Sequence, residues 1–293
     1  MPATQFDRRA FLTGVAATCS AAALAASSAY AGMARQKPGG RRAYMLGGLR
    51  AGDVEATFRK LKEAGFDGVE LISPTTVPTS EIVAARDATG LVVHGVSGGE
   101  HWRSPLSDPD SKVVAKGVAA IRQEIEDCKA YGGTTVLIVP AIVTPKVSYQ
   151  QAWDRSTAAL KDLVPVAEKA GIVLAIEEVW NRFLLSSVEM ARYVDSFQSD
   201  FVKTYFDVGN VVEYGWPQEW IRTLGPRIAK IHIKEYAKPK RFDYLLGEGG
   251  EINWDEVRQA LKDIHYTGWI TAEVPLKDPA DIVARMNRLL GLG

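Results

Sequence analysis

Three observations predict an α/β chain folded as one (β/α)8 TIM barrel. Eight short apolar runs alternate with amphipathic stretches from residue 43 to residue 293. A span of about 250 residues is the usual size of an eight-stranded α/β barrel. No Gly-x-Gly-x-x-Gly turn follows an early strand, which argues against an open doubly wound sheet.

The elements follow in order. Ala43–Leu49 reads as the first strand, and Asp53 as the cap of a helix that carries Val54, Phe58 and Leu61 on one face and ends at Gly65. Gly68–Ile72 is the second strand, with a helix from about Ser80 to Thr89 behind it. Leu91–Val96 is the third, followed by a loop and a long helix from about Pro109 to Tyr131. Thr135–Val139 is the fourth, and one helix runs on through Trp153, Leu160 and Val166. The fifth starts at Val173 and precedes a helix from about Ser187 to Phe197. Val202–Phe206 is the sixth, before a short helix around Gln218–Leu224. Ile228–Ile233 is the seventh, then a long loop and a helix from about Trp254 to Ile264. Trp269–Val274 is the eighth, and Pro279–Leu290 closes the chain.

The N-terminus reads differently. Asp7-Arg8-Arg9-Ala10-Phe11-Leu12 is a twin-arginine pattern, followed by an Ala-rich run and by Ala29-Tyr30-Ala31 as a cleavage site. Residues 1–31 are thus expected to be a twin-arginine signal peptide directing export to the periplasm, and residues 32–42 a flexible leader. The run is too weakly apolar for an anchor, so no membrane association is expected after cleavage. Removing Asp7, Arg8 and Arg9 from 35 basic and 35 acidic residues leaves 33 against 34, a net charge of −1. That balance offers no footprint for nucleic acid. Cys128 alone remains of two cysteines, so stability must come from a core and not from an intrachain disulfide. A homo-oligomer is compatible with the chain, which does not fix the oligomeric state.

The chemistry gathers at strand ends. Val173-Leu174-Ala175-Ile176 ends in Glu177-Glu178, and Tyr205-Phe206-Asp207, Ile231-His232-Ile233-Lys234 and Ala272-Glu273-Val274 repeat the design. In such barrels the active site lies at the C-terminal ends of the strands. Glu178, Asp207, His232 and Glu273 would therefore face one cavity, and three carboxylates with an imidazole repel one another unless a cation binds. The oxygen-rich set favours one divalent ion, Mn2+ first, with Mg2+, Co2+ or Zn2+ as alternatives. Glu177 is expected on the opposite face, in an ion pair toward the helices.

Glu178-Val179-Trp180-Asn181-Arg182-Phe183 resembles the Glu-x-x-Asn-Arg-Phe signature of the ketose 3-epimerases, within the xylose isomerase-like barrels. The resemblance covers essentially the whole chain after the leader. It implies the same four metal ligands, with Glu178 and Glu273 as the acid/base pair. It also implies an isomerase or epimerase that works on a keto-sugar through a cis-enediolate. Two departures bear on the substrate: Leu184 stands where that family has a second acid, and Asn210 where it has a histidine. A metal-dependent lyase or dehydratase acting on an oxidised sugar, a 3-keto-glycoside or an inosose is the runner-up. A non-catalytic sugar-binding barrel is the second alternative, against which the complete ligand set argues.

Further residues suggest how a small-molecule sugar would be held. Trp102 and Trp180 follow strands three and five, where aromatic rings stack on sugar faces. His101, Asn210 and Lys234 are expected at the substrate, together with His94 inside the third strand. Arg241 lies in the loop after strand seven, where barrels often bind phosphate. Glu248 and Glu251 in the same loop argue against a phosphate cradle, so a free sugar is expected.

Overall fold

The computed structural model describes residues 40–292; the segment read as a signal peptide and most of the one read as a leader lie outside them. Eight parallel strands form one closed barrel in sequence order, with β8 pairing back to β1. The strands are β1 (Arg41–Leu46), β2 (Gly68–Ser73), β3 (Val92–Gly98), β4 (Thr135–Ile138), β5 (Val173–Glu177), β6 (Val202–Asp207), β7 (Ile228–Ile233) and β8 (Trp269–Ala272). Around them lie α1 (Val54–Ala64), α2 (Thr79–Thr89), α3 (Ser111–Tyr131), α4 (Tyr149–Lys161), α5 (Val164–Ala170), α6 (Ser187–Asp195), α7 (Pro217–Leu224), α8 (Trp254–Asp263) and α9 (Pro279–Leu290). No helix among the described residues is long and apolar enough to cross a membrane.

Local chemistry sets most of these ends. Ser148 and Gln151 close a reciprocal capping box at the start of α4, and Asp278 accepts from the backbone N–H of Ala280 at 2.9 Å to open α9. Asp53 precedes α1 as expected, but its side chain makes no capping bond. The single helix expected through Val166 is two: Pro165, in the first turn of α5, lacks the N–H that would continue α4. Strand β1 begins at Arg41, two residues early, because Arg42 pairs with Asp67 at 3.1 Å and the Arg41 guanidinium lies 4.1 Å from the centre of the Trp269 ring.

Alternation divides each strand between two environments. Leu174, Ile176, Phe206, Ile231, Ile233 and Ile270 belong to the large core between sheet and helices. Leu137, Val139, Ala175 and Tyr205 form a small second cluster inside the barrel. Two irregularities adjust this pattern. The register of β2 against β3 slips between Val69 and Glu70, so that Gly95 rather than His94 pairs with Glu70. Gly95 has room for nothing larger, since a Cβ there would lie 2.7 Å from the Thr135 carbonyl. A matching slip between Thr204 and Tyr205 sets Tyr205 opposite Lys230.

Candidate active site

At the C-terminal ends of β5 to β8, Glu177, Asp207, His232 and Glu273 each offer one ligand atom within 4.8 Å of the others. His232 Nδ1 lies 3.0 Å from Glu177 Oε1, 3.5 Å from Glu273 Oε2 and 3.9 Å from Asp207 Oδ2. The carboxylate that β5 contributes is thus Glu177 and not Glu178. Ala175 already faces the barrel interior, so two residues on Glu177 faces it too, while Glu178 follows Leu174 and Ile176 to the other side. Glu178 is buried there, and its Oε1 accepts the backbone N–H of Asp207 at 2.8 Å. A one-residue slip in reading the strand exchanges the two faces.

Asp207 is fixed from its other oxygen. Its Oδ1 accepts the N–H groups of Gly209 and Asn210, both at 2.8 Å, in the turn after β6. The wholly buried Oδ2 has no hydrogen bond among the described residues, although Lys234 Nζ stands 3.1 Å away. Lys234 donates instead to Glu273 Oε2 at 2.8 Å.

These groups shift one another's protonation. Burial pushes the Glu177 carboxyl up to about 7, against the hydrogen bond and charge of His232. Burial also raises Asp207, with Lys234 opposing and Glu273 adding to the rise. Burial acts upward on Glu273 as well, but Lys234 and then His232 outweigh it and hold that carboxyl below its ordinary value. Burial disfavours the charged forms of Lys234 and His232, yet the surrounding carboxylates raise both. Three carboxylates and one imidazole nitrogen around a buried oxygen without a hydrogen bond are a donor set that fits a hard divalent cation.

Above the cluster opens a cavity of about 320 Å3. Its walls include His101, Trp102, Trp180, Asn210 and Lys234, with Met45, Ile72 and Phe242 contributing apolar surface. Trp180 is fixed, its indole N–H donating to the Asn210 carbonyl at 3.1 Å. Asn210 Nδ2 in turn donates to the Glu178 carbonyl at 2.9 Å. His101 is uncharged near neutrality, because burial pushes its pKa down to about 4.

Two expected substrate contacts lie elsewhere. His94 sits deeper in the barrel, where Trp269 stacks on it at 4.8 Å and burial followed by Lys230 keeps its pKa well below the usual imidazole value. Arg241 is not among the residues lining this cavity; its guanidinium lies 5.1 Å from the centre of the Trp180 ring and faces a neighbouring surface groove. Phe242, next in sequence, takes the cavity wall instead. Sequence reading missed Glu177, Phe242 and the polar residues deeper in the barrel. Lys230, His232 and Lys234 at every second position were the available sign that β7 turns a polar face inward.

Comparison with known proteins places this geometry. D-psicose 3-epimerase of Ruminiclostridium cellulolyticum is 27% identical over 239 residues, covering 75% of this chain and 78% of that protein. L-ribulose-5-phosphate 3-epimerase UlaE of Escherichia coli O1:K1 is 25% identical over 240 residues, covering 76% and 84%. Among solved structures, an L-ribulose 3-epimerase superposes with a TM-score of 0.74 at 21% identity, over 86% of this chain and 94% of that one. The E. coli 3-keto-D-glucoside 4-epimerase YcjR superposes with a TM-score of 0.69 at 18% identity, over 85% and 98%. At these identities the superpositions establish the fold alone. The model of the xylose isomerase-like TIM barrel family matches residues 58–290, and the chain belongs to that family.

Proposed function

We propose that this protein is a metal-dependent epimerase of keto-sugars, with Glu177, Asp207, His232 and Glu273 as ligands of one divalent cation. The observation that carries the reading is the convergence of these four side chains, of which Glu177, His232 and Glu273 line a cavity walled by Trp102, Trp180 and Phe242. Its curated relatives named as sugar 3-epimerases support the reaction class. A bound cation would supply Lewis acidity to a carbonyl and its neighbouring hydroxyl.

The chain's own groups would move the protons. Glu177 and Glu273 would take a proton from the carbon beside the carbonyl and return one on the opposite face. Return to the same carbon gives epimerisation, and return to the other carbon gives isomerisation. The indole of Trp180, held by Asn210, offers a rigid apolar surface to a sugar ring.

An unphosphorylated substrate follows from the charges. Lys234 is the one Lys or Arg lining the cavity among the described residues, and Asp207 and Glu273 already surround its ammonium. With the cation bound, the three carboxylates, the ammonium and the ion sum to zero, so no basic group of the cavity is left over to hold a phosphate.

The test is solvent exchange. Protein with Mn2+ is incubated in D2O with ketoses, 3-keto-glycosides and inososes, and the products are read by NMR and mass spectrometry. Deuterium beside the carbonyl of an intact skeleton supports the epimerase. An unsaturated or cleaved product would establish the lyase instead. No exchange on any of them by metal-loaded protein would leave the sugar-binding barrel.

We also propose export through the twin-arginine route, on the pattern Asp7-Arg8-Arg9-Ala10-Phe11-Leu12. Replacing Arg8 and Arg9 by Lys is expected to hold the precursor in the cytoplasm, and unchanged periplasmic recovery would contradict the route.

A further inference from the structure

Beneath the carboxylate cluster, the barrel holds a second polar layer that the proposed reaction does not use. Glu70, His94, Tyr205, Lys230 and Thr271 are all buried there, none more than 3% exposed. Buried polar groups are costly unless each finds a partner, so the donor and acceptor assignments of this layer can be followed atom by atom.

The chain begins at Lys230. Its Nζ donates to the His94 carbonyl and lies 3.0 Å from His94 Nδ1. Burial lowers the Lys230 pKa to about 7; in its ammonium form Lys230 has no lone pair, so Nδ1 then accepts and the ring proton of the neutral imidazole sits on Nε2. That Nε2 lies 3.1 Å from Thr271 Oγ1, which therefore accepts from it and turns its own proton to Tyr205, 3.2 Å away. Tyr205 then donates its phenolic proton to Glu70 Oε2. Glu70 Oε1 remains, 3.4 Å from His232 Nε2, and neither atom has a hydrogen-bond partner among the described residues, so each is the nearest group left to satisfy the other.

We infer that Glu70 is the positioning residue for His232: it accepts the Nε2 proton, so that when a cation displaces the proton on Nδ1 the lone pair left there faces the cluster of Glu177, Asp207 and Glu273. The opposite tautomer would point a proton into the space those carboxylates share. The hydrogen bond at one ring nitrogen decides which atom of a histidine is free to ligate. Glu70 is well suited to hold that bond, because the phenol of Tyr205 donates to its other oxygen and leaves Oε1 toward the ring.

This inference rests on reading His232 as a cation ligand, and the experiment separates the two. Mn2+ is titrated by calorimetry into chelator-stripped full-length protein, wild type and Glu70→Gln. The amide NH2 of Gln either faces His232 or displaces the Tyr205 proton, so the ring loses its acceptor or the acceptor loses its anchor. Affinity is expected to fall 10–100-fold, with the unfolding midpoint of the stripped protein nearly unchanged. In the Zn2+-loaded, 15N-histidine-labelled wild type, a slowly exchanging His232 Nε2–H is expected, and the variant should lose that protection.

Should Glu70→Gln fail to fold, Tyr205→Phe removes the donor that fixes Glu70 and is expected to weaken Mn2+ several-fold. Wild-type affinity and an unaltered Nε2–H signal in whichever variant folds would overturn the role of Glu70 while leaving the metal site standing. A wild-type protein that takes up neither ion would remove the site itself, and the inference with it.

Discussion

Glu177 and Glu178, adjacent in sequence, hold the same corner of the barrel from opposite faces. Glu177 Oε1 lies 3.0 Å from His232 Nδ1, while Glu178 Oε1 accepts the N–H of Asp207 at 2.8 Å. One carboxylate belongs to the candidate ligand set, and the other pins the backbone that carries a second member of it. Glu177→Gln is expected to lower carbon–hydrogen exchange by roughly 10²–10⁴-fold, the usual worth of a positioned acid or base. Glu178→Gln keeps an oxygen for the Asp207 N–H, so exchange is expected to stay within about tenfold, with a stability change of about 1 kcal/mol. Exchange rates measured by NMR in D2O decide; the reverse order of the two variants would return Glu178 to the site.

Asp207 Oδ2, buried and without a hydrogen bond, marks where a cation would add stability. Mn2+ at 100 times its dissociation constant is expected to stabilise the fold by about 2.7 kcal/mol. Asp207→Asn should abolish that gain. Thermal unfolding with Mn2+ and with chelator measures both, and a gain that survives in Asp207→Asn would place the ion elsewhere.

Glu124 gives a pH dependence independent of the site. It lies on α3 against β3, so close that a Cβ on Gly98 would come within 1.7 Å of its Oε1. Burial, then Asp127 and Glu100, push its pKa up to about 8 from 4.5. The folded state therefore binds this proton more tightly than the unfolded one, and stability falls as pH rises from 4.5 through 8. At about 1.4 kcal/mol per pK unit the loss is on the order of 5 kcal/mol. Glu124→Gln cannot ionise, so its stability should gain on the wild type across that range. Urea unfolding of both proteins at several pH values measures the slopes, and parallel slopes would refute the assignment.

Trp180 supplies cavity wall and is held by Asn210. Trp180→Ala is expected to raise KM about tenfold, in line with roughly 1–1.5 kcal/mol for a ring contact. Trp180→Phe keeps an aromatic face but loses the tie, and should cost less. Steady-state kinetics on a turned-over sugar will show it; equal KM values across the three proteins would exclude the ring from substrate binding.

The fold was legible because its signals are local. Ile228–Ile233 and Pro279–Leu290 have the bounds read from sequence, the second helped by Asp278 and by Pro279 in the first turn. The facing of β5 was not legible. Val173, Leu174, Ala175 and Ile176 are all apolar because the strand is covered on both sides, so no alternation marks which glutamate turns inward. The spacing to Asn181 then selected the wrong neighbour. His94 was assigned to the cavity because a sequence gives depth along a strand only to within the bulge that β3 contains. The layer around Glu70 and Lys230 escaped notice because isolated charges within strands look like solvent-facing positions until the sheet closes on them.

The bond from Trp180 to the Asn210 carbonyl joins the loops that follow β5 and β6. Two neighbouring segments of the rim are thereby made into one stiff jaw. Adjustment to substrates of different girth falls to the segment that carries Arg241 and Phe242, which meets the indole only through its ring face and has no such tie to it. Changes in chain length there alter the width of the entrance while the jaw stays in register with the catalytic floor. Lineages of this protein that acquired new sugars would be expected to differ most in that one loop.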